Sequence, residues 1–197
     1  MSRSIIIFVK NPELGKVKSR LAKSIGDKAA LEVYIKLLQK TQSVVKDISA
    51  QINVYYSSFI EQNDPIWDED SHEKKVQFQS PDLGIRMFES FADQLQQGHD
   101  KVLIIGSDCP LISEEIINSA FDSLEDNDIV IGPAEDGGYY LLGMKKANLT
   151  VFENIDWSTD LVFKQTIEII KKLGLNYATL PMLPDIDYEE DWIKYGW

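Results

Sequence analysis

The chain has 197 residues, 44% of them hydrophobic and 26% charged, as in an ordinary soluble globular protein. This length favours a single domain that comprises residues 1–197. The net charge of −12 argues against a general nucleic-acid-binding protein, which needs a basic surface. No apolar run approaches the roughly 20 residues that span a bilayer, so we expect no membrane association. The single cysteine, Cys109, rules out an intramolecular disulfide, and we expect a cytoplasmic protein.

Strand and helix patterns alternate along the chain, which predicts an α/β fold with a mostly parallel sheet. Apolar, β-rich runs predict strands at residues 4–9, 51–56, 76–79, 101–106, 128–133, 139–144 and 176–180. Apolar residues at helical spacing predict helices at about 30–45, 83–95, 114–124 and 158–173. Residues 57–74 are polar and acidic and contain a proline, so we expect mostly loop there.

Basic residues gather near the start of the chain, where positions 1–23 hold six Lys or Arg and one acidic residue. Segment 10–20 follows the first strand and opens a helical stretch, where free backbone N–H groups attract anions. Gly15 allows the backbone to approach a phosphate closely, and Lys10, Lys18 and Arg20 add positive charge. The segment lacks the glycines of a Walker A loop and of Gly-x-Gly-x-x-Gly. It predicts a phosphate-binding loop, with an exposed basic surface loop as the alternative.

Short acidic side chains recur near the ends of the predicted strands. Asp108 directly follows an apolar strand, while Asp185 and Asp187 point to the same side if their segment is extended. Carboxylates bind hard cations, so these three residues predict a Mg²⁺ or Mn²⁺ site completed by phosphate oxygens and water. Two alternatives remain: Asp108 caps a turn before Pro110, and Asp187 begins an acidic helix.

Segment 134–139 places two acids and two glycines between predicted strands. Asp followed by Gly is also a strong hairpin signal, so a plain turn is the alternative. Adjacent glycines and tyrosines suit close approach to a sugar or base. The candidates for substrate contacts are therefore Asp136, Gly137, Gly138 and Tyr139. Ligands of open α/β sheets collect at the carboxyl ends of strands, so we expect one site to be formed by segments 10–20, 79–86, 106–110 and 134–139.

Taken together, the motifs resemble those of a bacterial family. They are K-N-P-x-x-G-x-V-K-x-R-L at 10–21, D-L-G-x-R-M at 82–87, G-S-D-C-P at 106–110, G-P-A-E-D-G-G-Y-Y-L-L-G at 132–143, F-x-N-I-D-W-S-T at 152–159 and D-I-D-x-E-x-D at 185–191. In order and spacing they resemble the DUF2064 group, often labelled as glycosyltransferases associated with arsenosugar biosynthesis. More distantly, the chain is similar to 2-phospholactate and molybdopterin guanylyltransferases. The resemblance extends from residue 5 to about residue 192.

The resemblance implies a GT-A-like fold, in which a Rossmann-like sheet holds a nucleotide over its first half and an acceptor over its second half. It implies that Gly15, Lys18 and Arg20 contact the nucleotide phosphates. Gly84 and Arg86 would help to frame the nucleotide.

The resemblance also implies that Asp108 is the metal carboxylate, and similarity to the guanylyltransferases implies that Asp185 and Asp187 share the ion. We therefore expect metal-dependent transfer of a sugar from a nucleotide-diphosphate sugar to a small acceptor. Lys18 would help to neutralise the leaving diphosphate, and Asp136 would orient the acceptor hydroxyl or act as its base. Two alternatives stay open: a nucleotidylyltransferase that joins an NTP to a phosphorylated small molecule and releases diphosphate, and a non-catalytic nucleotide-sugar-binding protein.

Overall fold

The computed structural model describes residues 1–61, 63–67 and 72–197, which form a central sheet flanked by helices. The strands are β1 (Arg3–Val9), β2 (Gln51–Tyr56), β3 (Glu73–Val76), β4 (Lys101–Ile105), β5 (Ile129–Pro133), β6 (Tyr139–Met144) and β7 (Tyr177–Thr179). The α-helices are α1 (Ser19–Ile25), α2 (Asp27–Val45), α3 (Leu83–Gln96), α4 (Glu114–Asp126), α5 (Val162–Lys172) and α6 (Glu189–Tyr195), with a 3₁₀ helix at Leu149–Phe152. No helix in these ranges is long and apolar enough to cross a membrane.

The strand order β3-β2-β1-β4-β6-β5-β7 determines where a site can form. Strands β1, β2, β3 and β4 pair with one another in parallel, and β5 is parallel to β7. Strand β6 is antiparallel to both β4 and β5. The expected mostly parallel sheet is therefore confirmed. Because β2 and β4 flank β1 on opposite sides, the strand order reverses between β1 and β4. Open α/β sheets hold their ligand crevice at such a reversal, at the carboxyl ends of the strands, and we refer to this position as the crevice.

Side chains that alternate along the strands fill apolar layers on both faces of the sheet. Ile5 and Ile7 belong to the cluster that contains the apolar faces of α2 and α4. Ile6 belongs to the cluster formed with α3, α5 and the 3₁₀ helix. A strand buried on both faces has a continuous apolar sequence, which explains why β1 and β4 were predictable.

A third, smaller apolar cluster joins α1, α2 and the C-terminal segment. Leu21, Val33 and Ile186 are buried in it, and Trp192 of α6 packs against it. Ile186 lies between the two acidic residues of the Asp-x-Asp motif, so its burial places both carboxylates beside the loop that leads into α1.

The third strand was predicted at 76–79 and lies at Glu73–Val76 instead. It is an edge strand with partly exposed charged residues, which edge strands commonly carry and which an apolar pattern cannot detect. Gln77, the next residue, turns its side chain inward, where Nε2 donates to the carbonyl oxygens of Tyr55 at 3.1 Å and Val9 at 3.4 Å. Within the predicted loop 57–74, residues 62 and 68–71 lie outside the described residues.

Helix α5 begins at Val162, four residues later than predicted. Ser158 has a φ angle of 65°, a left-handed conformation that no helical residue adopts. Segment 134–139 forms the predicted hairpin turn, since it joins the antiparallel strands β5 and β6, while its contacts with substrate stay a prediction. At the C-terminal end, the helix begins at Glu189, so Asp187 precedes it.

Candidate active site

The loop after β1 crosses the carboxyl edge of the sheet before α1 begins. Gly15 has a φ angle of 75°, which glycine adopts without strain. Lys18 also has a positive φ angle, 47°, and its carbonyl oxygen accepts the Ala22 N–H of α1 at 2.8 Å. A left-handed conformation costs a non-glycine residue about 1–3 kcal/mol and persists only where neighbouring contacts hold it. At Lys18 those contacts are made by the side chain.

Lys18 is the centre of an ion-pair cluster. Its Nζ lies 2.8 Å from Oδ1 of Asp108 and 3.5 Å from Oδ1 of Asp187, and its side chain is only 4% exposed. Arg20 NH1 lies 2.7 Å from the other oxygen of Asp187. The Ile186 N–H donates to the Asp108 carbonyl oxygen at 3.1 Å, which holds the C-terminal segment against the loop after β4. Three distant segments thus meet at one buried ammonium group.

Asp185 lies partly buried close to this cluster. Burial raises the pKa of its carboxyl, and the negative charges of Asp136 and Asp187 raise that pKa further, to about 7, against the opposing charge of Lys18. A carboxyl in this position lies among more negative than positive charge. The structure therefore brings Asp136, Asp185 and Asp187 into one electrostatic environment that is short of positive charge.

The turn between β5 and β6 is built by Asp136 and its glycines. The Gly138 N–H donates to Asp136 Oδ1 at 2.8 Å. Gly137 has a φ angle of 87°, and a Cβ atom there would overlap the backbone of Asp160. The Phe163 N–H also donates to the Gly137 carbonyl oxygen at 2.8 Å. Glycine is therefore required for the segment before α5 to pack against this turn.

Tyr139, the remaining predicted substrate contact, has its hydroxyl 3.8 Å from the Met87 sulfur of α3. Burial raises the pKa of this hydroxyl well above its ordinary range. Its hydroxyl is therefore directed at an apolar neighbour within the protein, and a contact between Tyr139 and substrate stays a prediction.

The two residues predicted on α3 have contacts of their own. A Cβ atom at Gly84 would lie 2.8 Å from the ring of Trp157 and 2.9 Å from Phe152, so the structure explains this glycine by close packing. Arg86 NH1 donates to Gln77 Oε1 at 3.0 Å, while its Nε is buried without a hydrogen-bond partner among the described residues. Nucleotide contacts by Gly84 and Arg86 stay predictions.

Two residues that the sequence did not single out connect the loops around the crevice. The Tyr34 hydroxyl accepts the Lys10 N–H at 2.8 Å and lies 3.4 Å from Ser107 Oγ, which links the loops after β1 and β4. Asn11 is 3% exposed, and its Nδ2 donates to the Phe59 carbonyl oxygen at 2.8 Å, which links the loops after β1 and β2. A polar residue directly after an apolar strand is the signal that could have identified Asn11. Tyr34 lies in an amphipathic helix and carries no such signal.

Charge differs between the loops on the two sides of the crevice. Segment 10–20 holds four basic residues and one acidic residue. The segments that border the carboxyl edge from β4 to β7 hold seven acidic residues and no Lys, Arg or His, and they are 106–113, 134–139, 156–161 and 181–187. The local field therefore attracts an anion to the loop after β1 and repels one from the opposite side.

The carboxylates fit a divalent cation in their donor chemistry. Asp108 and Asp187 offer hard oxygen ligands around the position where Lys18 Nζ lies. Within residues 1–61, 63–67 and 72–197, no three or more His, Cys, Asp or Glu side chains form a group that could hold a metal ion, so the predicted three-carboxylate set is not assembled. Mg²⁺ is usually held by one or two carboxylates together with substrate phosphates. The pair Asp108 and Asp187 therefore suits an ion that binds with a nucleotide.

Known proteins share this architecture. The chain superposes on a protein from Desulfovibrio desulfuricans G20 with a TM-score of 0.87 and 33% identity. The alignment covers 95% of this chain and 84% of that protein. That protein is classed as a nucleotide-diphospho-sugar transferase, which is an assignment rather than a measured activity. The inositol-1-phosphate CTP transferase of T. maritima aligns over 96% of this chain and 91% of its own, with a TM-score of 0.66. At 14% identity, this second likeness shows the fold alone.

A 2-phospho-L-lactate guanylyltransferase from Methanocaldococcus sp. (strain FS406-22) is 35% identical over 78 residues, which is 40% of this chain and 33% of that enzyme. The match thus spans about a third of the curated relative. The fold and the crevice define a protein of the nucleotide-diphospho-sugar transferase type, as expected. Residues 40–159 match the model of the family described as "Uncharacterized protein conserved in bacteria (DUF2064)", and the chain belongs to this family.

Proposed function

We propose that this protein is a metal-assisted glycosyltransferase that moves a sugar from a nucleotide-diphosphate donor to a small hydroxyl-bearing acceptor. The observation that carries the proposal is the Lys18 ammonium group, which is almost fully buried between Asp108 and Asp187 at the reversal of strand order. Buried lysines need charged partners. Here the partners are carboxylates at a crevice, so cationic and metal-binding groups lie together, as a diphosphate–metal complex requires.

On the donor side, Lys18 and Arg20 bind the diphosphate oxygens, the lysine as a point charge and the arginine as a planar fork. Asp108 and Asp187, which contact Lys18 in this structure, would hold a divalent cation bound with the nucleotide. Mg²⁺ or Mn²⁺, when bound, supplies charge neutralisation for the diphosphate leaving group. Gly15 permits the backbone of the loop to approach a phosphate.

On the acceptor side, Asp136 is the proposed base. Its Oδ1 accepts the Gly138 N–H, which fixes the orientation of the carboxylate and leaves the second oxygen to accept a proton. In the transfer, the acceptor oxygen bonds to the anomeric carbon while the bond from that carbon to the diphosphate oxygen breaks. The nucleoside diphosphate leaves, and the hydroxyl proton passes to Asp136.

The charge of the loops favours a hydroxyl acceptor over a phosphorylated one. A phosphate nucleophile would have to approach from the side that carries seven acidic and no basic residues. Such a field repels an anion, whereas a neutral hydroxyl compound approaches without this cost. Carboxylates also accept hydrogen bonds from hydroxyl groups, so the same residues suit a polyhydroxylated acceptor.

A nucleotidylyltransferase is the second candidate, favoured by the partial sequence match to a guanylyltransferase. In this reaction a phosphate of a small molecule attacks the α-phosphate of an NTP, and diphosphate leaves. The basic loop at 10–20 suits a triphosphate as well as a diphosphate sugar.

Product analysis separates these candidates. The protein is incubated with individual NDP-sugars and NTPs, with Mg²⁺ or Mn²⁺ and a panel of acceptors, and the products are measured by mass spectrometry. Nucleoside diphosphate with a glycosylated product supports sugar transfer, while release of inorganic diphosphate from an NTP supports nucleotidyl transfer. Tight nucleotide binding without any product over the whole panel would indicate a non-catalytic binding protein.

Asp108→Asn tests the proposed metal carboxylate directly. We expect turnover to fall on the order of 10²–10³-fold, as when one group that stabilises a transition state is removed. Asp122→Asn is the matched control, because Asp122 is an exposed acid paired with Arg3 at 3.5 Å, outside the crevice. Unchanged turnover and unchanged metal dependence in the Asp108 variant would rule out this mechanism.

A further inference from the structure

We propose that Asp191 is a positioning residue that holds Asp187 against Lys18 and Arg20. The role of Asp187 in ligand binding rests on the proposed function, whereas the positioning rests on the geometry alone. Asp191 is remote from the basic loop in sequence, and among the described ion pairs none joins it to Lys18 or Arg20. Its influence on the site therefore passes through the backbone of Asp187.

One carboxylate oxygen of Asp191 accepts two backbone hydrogen bonds. Asp191 Oδ2 lies 3.0 Å from the N atom of Asp187 and 2.7 Å from the N atom of Tyr188. These N–H groups lie on either side of the Asp187 Cα atom, so both bonds together restrict its backbone angles. Hydrogen bonds to an ionised acceptor are about twice as strong as neutral ones, which makes this restriction effective.

The hydrogen bond between Asp191 and the Asp187 N–H is additional to the capping of helix α6. An acidic residue at the third position of a helix commonly accepts the N–H of the residue before the helix, and Tyr188 is that residue here. Asp187 lies one position further out, and it is the residue whose carboxylate contacts Lys18 and Arg20. Asp191 thus connects the helix to the ion-pair cluster.

Helix α6 can serve as a support because its other side chains attach it to the body of the protein. Trp192 packs on the cluster that contains Leu21, and Lys36 Nζ lies 5.5 Å from the centre of the Trp192 ring. The Tyr195 hydroxyl donates to the Glu135 carboxylate at 3.3 Å. The position of Asp191 is therefore set by α6, and the position of Asp187 by Asp191.

The test compares Asp191→Ala with Asp191→Asn, since the asparagine keeps a side-chain oxygen that can accept both N–H groups. Glu190→Ala is the matched control, because it removes a neighbouring exposed acid from the first turn of the same helix. The probe is Mn²⁺ with inorganic diphosphate, titrated by calorimetry. We expect Asp191→Ala to weaken binding about tenfold, equal to ~1.4 kcal/mol. Asp191→Asn should keep most of the affinity, because its neutral oxygen accepts the same N–H groups more weakly, and the control should bind like the unmodified protein.

A purely structural role for Asp191 would lower Tm and leave the affinity of the folded protein unchanged, which would overturn the proposal. Equal losses of affinity in Asp191→Ala and Glu190→Ala would overturn it as well, because general loss of acidic charge would then be the cause. Failure of Asp191→Asn to restore affinity would also count against positioning.

Crystal structures of the variants test positioning without any ligand. In Asp191→Ala, we expect the Asp187 carboxylate to leave Lys18 and Arg20, and in Asp191→Asn to stay. If it stays in both, the positioning proposal is wrong. If it moves as expected but the unmodified protein does not bind Mn²⁺ with diphosphate, the proposed function fails while the positioning role stands.

Discussion

Two lysine side chains are almost fully buried, one near the amino ends of the strands and one near the carboxyl ends, and their surroundings differ. Lys101, at the amino edge, is 1% exposed, donates to the Phe121 carbonyl oxygen at 2.8 Å and pairs with Glu125. Lys18, at the carboxyl edge, is 4% exposed and contacts Asp108 and Asp187. Both partners of Lys101 come from α4, whereas those of Lys18 come from two separate segments at the crevice.

This difference shows that burial of a charge does not by itself identify a functional site. The contacts of Lys101 join one strand to the helix that packs on it, so they stabilise the fold. The contacts of Lys18 are with two carboxylates whose own chemistry suits a cation, so a metal ion and a diphosphate could replace them. The origin and type of the partners distinguish the two lysines.

The largest expected effect is on activity and comes from Lys18→Ala. Under the proposed function, removal of this charge should lower kcat/KM for the donor on the order of 10²–10³-fold, or ~2.7–4 kcal/mol in the barrier. Lys16→Ala is the matched control, because Lys16 lies in the same loop, pairs with Glu13 at 2.7 Å and is 67% exposed. Similar losses in the two variants would mean that overall loop charge matters and that the buried position does not.

The next largest effect is on stability and comes from Lys101→Ala. Truncation of a buried long side chain leaves a cavity, so we expect the free energy of unfolding to fall by about 2–5 kcal/mol. Denaturant unfolding measures this change, and kcat/KM below the unfolding range should stay close to that of the unmodified protein. Lys101→Met keeps most of the volume and should cost less. A selective loss of activity in Lys101→Ala would remove the distinction between the two lysines.

The smallest expected effect is on stability and concerns the ion pair of Lys75 with Asp93, which is only partly buried. Burial alone would raise the pKa of Asp93, but hydrogen bonds from Lys75 and Tyr55 outweigh it and hold the pKa below its ordinary value of 3.8. A lowered folded-state pKa contributes stability above pH 3.8, and that contribution is lost as the pH falls through the folded-state value. Asp93→Asn should therefore unfold at a lower Tm than the unmodified protein at pH 7. Thermal melts over a pH series should show the difference shrinking in acid, and a constant difference would contradict this origin.

Much of the fold was predictable because its central strands are continuous apolar runs. The misplaced strand β3 is the informative exception, since its charged residues 73–75 resemble a loop and pair only because β2 offers an open edge. Propensity and periodicity describe local sequence, whereas the pairing of an edge strand depends on its neighbour.

The site was predictable in part for a similar reason. Lys18, Asp108 and Asp187 could be selected because charged residues after strands meet at one edge of an α/β sheet, and the structure brings all three together. Tyr34 and Asp191 could not be selected, because their roles depend on contacts with backbone groups of other segments. Whether the selected residues bind nucleotide and metal stays a prediction.

The contact between Lys18 and Asp187 also has a consequence for biosynthesis. These residues are 169 positions apart in the chain. At a translation rate of about 5–20 residues per second, the basic loop is made roughly ten to thirty seconds before its last partner. Closure of such long-range contacts is slow compared with helix formation. The crevice is therefore completed only when the end of the fold has docked, so recovery of ligand binding during refolding should report the final step of assembly.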